Sequence, residues 1–282
     1  MRPKAQLYSI LVVDIEKFGR RANPVQLWLR EQLYGIVRAA FTESSIDWSG
    51  GPEPSDRGDG FFWLLPGSVD RTDLTGRFVE VLDQRLRAHA RTSSEEGALR
   101  LRVALHQGDV AGDAHGWAGE ELNTACRLVD IPPLRTALAS APRAGLALAV
   151  SGEWHRHVVR HDDPSVASRT FRCVTFDAKE IHGAHAWIRV PGYDAPPGVS
   201  ATRPAPGAPS RDAAPGAAPA GREDRRADHP GAPGSGPFAG AHFDRVGQVF
   251  GGDQIVHGGQ TFQWGSGPEE TAGRGEGKAE AS

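Results

Sequence analysis

The distribution of large aliphatic side chains limits how much of this 282-residue chain can fold into a packed domain. From Tyr193 to Ala241 the sequence is rich in Pro, Ala and Gly and almost lacks Leu, Ile, Val and Phe. Such a segment buries too little apolar surface to offset the chain entropy lost on folding. We therefore expect one domain over residues 1–192, a disordered linker over 193–241, a short β-prone motif over 242–264 and a disordered tail over 265–282.

The charge balance and the two cysteines exclude several classes of protein. The chain has 32 Lys and Arg against 35 Asp and Glu, so no excess of positive charge is present to neutralise a phosphate backbone, and we expect no nucleic-acid partner. Cys126 and Cys173 do not form a CxxC pair, which indicates neither a disulfide framework nor a structural zinc site. The apolar run from Leu7 to Val13 is too short to span a bilayer. We expect a cytoplasmic protein without a membrane span.

The apolar periodicity predicts alternating strands and helices before residue 192. Residues 7–15, LYSILVVDI, are typical of a buried strand, and Asn23-Pro24 predicts a helix start with Asn23 as its N-cap. Further strands are predicted at 61–65, 99–105, 146–150, 171–176 and 186–190, and further helices around 78–86, 122–129 and 152–160. Some strands pair as hairpins, so the pattern favours an α+β fold with a mixed or antiparallel sheet.

Two acidic residues are predicted where strands meet loops. Asp14 ends the first strand in VVDIEKF, and Asp59 lies in DRGDGFF, where flanking glycines permit a tight turn. Hard divalent cations bind carboxylate oxygens in such positions. Each motif taken alone is also typical of an Asp that caps a turn or of an ordinary Asp-Gly hairpin. Both interpretations remain open on these motifs.

A third motif places an amide and a guanidinium side by side. In GEELNTACRLVD, Asn123 and Arg127 are four residues apart, and therefore on one face of a helix that begins soon after Gly119. Such a pair can orient a ribose and hold phosphate oxygens. A solvated helix face carries the same residue types.

Taken together, these motifs resemble the catalytic domain of class III nucleotidyl cyclases, also called the cyclase homology domain, over residues 6–190. The resemblance lies in Asp14 with Phe18, the hairpin of Gly58 and Asp59, the strand ending in LHQGDV, and the GxxxNxAxR pattern from Gly119. Their common order and spacing are far more specific than any one motif. The resemblance implies a ferredoxin-like βαββαβ core and an enzyme that converts a nucleoside triphosphate to a 3′,5′-cyclic nucleotide and pyrophosphate.

The resemblance also implies roles for individual residues. Asp14, Asp59 and Ile15 would hold two Mg²⁺ or Mn²⁺ ions, and backbone amides from Ile15 to Phe18 would lie near the phosphates. Asn123 would orient the ribose, and Arg127 would stabilise charge on the α-phosphate. Phe18, Gly58 and Lys179 are the implied substrate-binding residues, although Lys179 is out of register by a residue or two. In the family two subunits share each site, so a homodimer is implied.

The sequence departs from the family at the base-reading positions. Ser55 and Gly116 stand where purine-specific members carry a Lys and an Asp or similar polar residue. Which base is used therefore stays open, and so do two rival functions: a catalytically inactive nucleotide sensor that recruits an effector through its tail, and a purely structural dimerisation module. Residues 246–263, which are β-prone and punctuated by glycine, are suited to pairing with a protein partner or with a second copy.

Overall fold

The computed structural model describes residues 4–179 and 181–202. The predicted motif over 242–264, the predicted tail over 265–282 and most of the predicted linker lie outside the described residues. The first residues of that linker are packed: Tyr193 and Val199 lie against the second core cluster, and the Thr202 amide donates to the Cys173 carbonyl at 2.8 Å. Packed structure therefore continues past residue 192, as far as Thr202.

The described elements, in chain order, are β1 (Gln6–Ile15), α1 (Asn23–Glu43), β2 (Ser55–Asp56), β3 (Gly60–Leu65), α2 (Arg71–Thr75), α3 (Arg77–Thr92), β4 (Leu101–Asp113), β5 (Gly116–Ala118), α4 (Glu120–Leu128), α5 (Pro132–Ala139), β6 (Leu146–Ser151), α6 (Gly152–His157), β7 (Arg172–Ala178) and β8 (Ile181–Arg189). None of the helices in this described part is long and apolar enough to cross a bilayer.

The strands form one mixed sheet in the order β2-β3-β1-β4-β6-β8-β7, with β5 paired to β4. The first four positions are all antiparallel neighbours. Helix α1 connects β1 to β2, and α2 and α3 connect β3 to β4, which is the ferredoxin-like βαββαβ arrangement. Strand β6 then adds in parallel to β4. The predicted α+β class and the predicted core are confirmed.

Strand β1 is buried from Ser9 to Ile15, and mostly apolar there, because helices cover both faces of the sheet. Leu11 and Val13 point into a cluster with α1 and α3, whereas Ile10 and Val12 point into a cluster with α4 and α5. Side chains alternate along a strand. Asp14 therefore belongs to the face that carries α4 and α5.

Several local predictions were wrong or incomplete. The N-cap of α1 is Ala22, no side chain caps this helix, and Asn23 is its first residue. Helix α6 ends at His157, and a 3-10 turn takes the place of its predicted last turn. The short elements β2, β5, α2 and α5 were not predicted, because two to eight residues carry too little periodicity to be recognised.

Candidate functional site

The two acidic strand ends meet at the edge between β1 and β3. Asp14 lies opposite Gly60 in the β1–β3 register, and the Ile15 amide donates to the Asp59 carbonyl at 2.9 Å. A Cβ atom at Gly60 would lie 1.9 Å from the Val13 carbonyl oxygen, so only glycine permits this approach of the two strands. The structure thus brings together Asp14, Ile15 and Asp59.

The turn before β3 needs a second glycine. Gly58 has a φ of 92°, which a residue with a side chain rarely adopts. The Gly58 amide donates to Asp56 Oδ1 at 2.8 Å, and Asp56 is itself held by Arg30 and Tyr34 of α1. This fixed turn presents Asp59 beside the end of β1.

The carboxyl group of Asp14 is buried against a guanidinium. Arg102 of β4 lies opposite Asp14 in register, and its Nη2 donates to Asp14 Oδ1 at 2.5 Å. Burial raises the pKa of Asp14 to about 7, Arg102 opposes that shift, and the neighbouring charge of Asp59 adds to it. Two carboxylates so placed repel each other, so the site favours binding of a cation.

Arg102 was not recognised as a site residue from the sequence. The alternation Leu-Arg-Leu-Arg over residues 99–102 predicted a half-exposed strand, whereas the Arg102 side chain is only 14% exposed. A buried guanidinium requires an acidic partner on the same face. Arg102 also lies 3.6 Å from Asp130, which pairs with Arg135. A network of alternating charges therefore runs from Asp14 to the loop after α4 and into α5.

Helix α4 carries the third motif on its outer face. Leu122, Ala125 and Leu128 are buried toward the sheet. Asn123 is exposed and Arg127 is half-buried, on the side turned away from that packing. Helix α4 and Asp14 share one face of the sheet. Arg57, from the turn before Asp59, lies close enough to α4 to act on the pKa of its Cys126 thiol, which burial raises.

The two base-reading positions offer little chemistry. Gly116, at the start of β5, is exposed and has a φ of +133°. It has no side chain, and most other residues would be strained there. Ser55 lies in β2 opposite Phe62 and offers one hydroxyl. Neither position supplies a charged group to read a purine edge.

The remaining predicted substrate residues are placed differently. Lys179 lies in the turn between β7 and β8, with a φ of 51°, and β4, β6 and β8 separate its strand from β1. The structure does not bring Lys179 beside the carboxylates of its own chain. The Phe18 side chain is partly buried and packs against the first core cluster.

Two of the backbone amides predicted near the phosphates are already hydrogen-bonded. The Ile15 amide donates to Asp59, and the Glu16 amide donates to the Arg100 carbonyl at 2.9 Å. The amides of Lys17 and Phe18 begin a 3-10 turn over Phe18–Arg20. The first amides of such a turn have no acceptor within it, and they are the donors suited to phosphate oxygens.

The donor set fits a magnesium or manganese ion. Within residues 4–179 and 181–202, no cluster of three or more His, Cys, Asp or Glu side chains is arranged to hold a metal. Mg²⁺ is commonly bound by one or two carboxylates, with substrate phosphates and water completing its shell. The side chains of Asp14 and Asp59, with the Ile15 carbonyl, match that chemistry.

The raised pKa of Asp14 predicts a pH-dependent stability in the absence of divalent cations. A carboxyl group that holds its proton up to about pH 7 when folded, against an ordinary pKa of 3.8, makes the folded state bind more protons between these values. Stability is therefore present at low pH and lost as pH rises toward 7. Between pH 5 and pH 8, we expect wild type to lose roughly 2 kcal/mol relative to Asp14→Asn.

Urea unfolding of both proteins in excess chelator measures this difference. The substitution also weakens the contact with Arg102. Any pH-independent part of that change in the free energy of unfolding cancels when the difference between the two proteins at pH 5 is compared with the difference at pH 8. Parallel stability curves for wild type and Asp14→Asn would show that Asp14 is ionised in the folded protein at pH 5.

Comparison with known proteins finds matches only among solved structures: no protein-family model and no curated protein matches the chain. An adenylate/guanylate cyclase/hydrolase from Silicibacter pomeroyi superposes at 18% identity and TM-score 0.48, covering 67% of this chain and 99% of that one. The guanylyl cyclase Cya2 superposes at 17% identity and TM-score 0.48, covering 68% of this chain and 95% of that one. The guanylate cyclase domain from Catenaria anguillulae, in complex with GTP, superposes at 16% identity and TM-score 0.43, covering 66% of this chain and 97% of that one. At these values a superposition carries no functional argument, so function must be inferred from the site.

Proposed function

We propose that this chain is a nucleotidyl cyclase, which converts a nucleoside triphosphate to a 3′,5′-cyclic nucleotide and pyrophosphate. The observation that carries the proposal is the meeting of Asp14 and Asp59 at adjacent strand ends, with Asp14 on the sheet face that also bears α4. Carboxylates, a guanidinium and an amide are together the groups that a triphosphate and a ribose require.

The strand ends that carry Asp14 and Asp59 would bind the phosphates through divalent cations. Asp14, Asp59 and the Ile15 carbonyl would hold divalent cations, which supply a Lewis acid that lowers the pKa of a hydroxyl and neutralises phosphate charge. Arg102 contributes a positive charge beside Asp14, and its guanidinium N–H groups can donate to phosphate oxygens. The site therefore offers both carboxylate ligands and a fixed cation at one edge.

Helix α4 supplies the side chains that contact the ribose and the α-phosphate. The ribose 3′-oxygen bonds to the α-phosphorus, the bond from that phosphorus to pyrophosphate breaks, and the hydroxyl proton passes to water. Asn123 orients the ribose, because its amide can both donate to and accept from a hydroxyl. Arg127 stabilises the negative charge that develops on the α-phosphate.

Purified full-length protein, incubated with Mn²⁺ and each of the four ribonucleoside triphosphates, tests the proposal directly. Chromatographic detection of a cyclic nucleotide and of an equal amount of pyrophosphate supports it. Nucleotide binding without turnover would favour a sensor, and neither binding nor turnover would favour a structural module.

The same assay tests base selectivity. Ser55 and Gly116 cannot supply a charged and polar pair, so a wrong base leaves few buried groups unpaired and is rejected weakly. We expect kcat/KM to differ by less than about a hundredfold among the four triphosphates, or to favour a pyrimidine. A larger preference for ATP or GTP would show that other residues read the base.

A further inference from the structure

Three hydrogen-bonded side chains, those of Glu121, His106 and Ser151, lie at the N-terminal end of α4 and have no part in the function proposed above. We call them the Glu121–His106–Ser151 chain. His106 of β4 is 2% exposed, yet both of its ring nitrogens have partners. Its Nδ1 lies 2.7 Å from Ser151 Oγ, and its Nε2 pairs with the Glu121 carboxylate. A neutral ring satisfies both: Nε2–H donates to Glu121, and Nδ1 accepts from the Ser151 hydroxyl.

The Ser151 end of this chain is closed to substrate. Ser151 is 6% exposed, and its Oγ also accepts from the Trp154 amide at 3.1 Å as the N-cap of α6. Its hydroxyl is therefore used as both donor and acceptor. The order Ser–His–Glu is also that of a nucleophile with its base. A buried hydroxyl that caps a helix cannot reach a substrate, however, so these three side chains have a structural role.

The Glu121 end depends on a glycine of the LHQGDV motif. A Cβ atom at residue 108 would lie 2.2 Å from Glu121 Cγ, so Gly108 leaves the space over which the Glu121 side chain reaches His106. The hydrogen bond from His106 is the main cause that lowers the pKa of Glu121, which keeps this carboxylate ionised. Within this motif, His106 supplies the hydrogen-bond donor and Gly108 the space that together bind the first turn of α4 to β4.

We propose that the Glu121–His106–Ser151 chain is a positioning device that fixes the first turn of α4 against β4 and so holds Asn123 and Arg127 in their working direction. Glu121 precedes Asn123 by half a turn, so freeing it loosens the turn from which Asn123 projects. The catalytic part of this inference rests on the proposed cyclase function, whereas the anchoring of α4 does not.

Glu121 is the residue to change, because its side chain is 41% exposed and its loss leaves no cavity in the core. Glu121→Ala removes the contact, and Glu121→Gln keeps an oxygen that accepts from His106. Glu120→Ala is the matched control: it removes an equal charge from the same exposed turn without touching His106. Circular dichroism checks that each variant is folded.

Two readouts are measured on full-length protein. In Glu121→Ala, amide hydrogen exchange over residues 120–128 should be about tenfold faster than in wild type, since a charge-assisted hydrogen bond to a buried ring is lost. With Mn²⁺ and nucleotide, kcat should fall about tenfold or more while KM stays within about threefold, because Asn123 and Arg127 act in the transition state. Glu121→Gln and Glu120→Ala should stay within about threefold of wild type in both.

The outcomes separate the two claims. Unchanged exchange over α4 in Glu121→Ala overturns the positioning proposal, whether or not the wild type is active. Faster exchange with unchanged kcat in an active enzyme overturns it as well, because the order of α4 would then not matter to the reaction. A wild type without turnover defeats the cyclase function, while the exchange data still decide whether α4 is anchored.

Discussion

Asp14→Asn is expected to lower kcat for cyclic-nucleotide formation by at least about 1,000-fold, the largest loss that one substitution should produce in this chain. The change keeps the size of the side chain and removes the charged ligand that lies opposite Gly60 and beside Asp59. An amide binds a divalent cation much more weakly than a carboxylate does. Because burial penalises the charged form of Asp14, the variant should remain folded.

The matched control is Asp130→Asn. Asp130 contacts the same Arg102 at 3.6 Å but is half-exposed and belongs to the loop after α4, so this variant should keep turnover within about tenfold. Asp59→Asn should resemble Asp14→Asn, and a titration with Mn²⁺ should show weaker metal binding in both. Turnover near the wild-type rate in Asp14→Asn, with the protein folded, would remove Asp14 from the metal site.

The strong elements and the chemical motifs were predictable because each is local. An uninterrupted apolar run that ends in Asp14 indicates a buried strand. Asn123 and Arg127 are four residues apart, and helix geometry alone places such a pair on one face. The α+β class followed from the alternation of such elements. Local patterns therefore identified the polar groups but not all of their neighbours.

The missing parts of the site depend on register and on contacts distant in sequence. Nothing near Arg102 in the sequence shows that it meets Asp14, since that contact follows from the pairing of β1 with β4. The role of Gly108 becomes visible only when Glu121 is seen to lie over it. Lys179 was proposed from similarity of sequence position, and the sheet order places three strands between its strand and β1.

The arrangement of α4 raises the question of which chain completes the site. Leu122, Ala125 and Leu128 pack toward their own sheet, so α4 turns the face that carries Asn123 and Arg127 away from the sheet that carries Asp14. A second copy could lay the outer face of its α4 over the carboxylates, and by two-fold symmetry the same contact would form a second site. We propose this homodimer, with each site built from both chains.

Mixing two inactive variants tests the shared site. Asp14→Asn protein lacks the carboxylate half and Arg127→Ala protein lacks the α4 half, so a mixed dimer contains one site with both defects and one site with none. After subunit exchange at equal amounts, half of the dimers are mixed, and activity should recover to about a quarter of wild type. The control mixture pairs Asp14→Asn with Asp59→Asn: both defects lie in the same half, every site is damaged, and no activity should return. If exchange is demonstrated with labelled subunits and the first mixture stays inactive, the whole site belongs to a single chain.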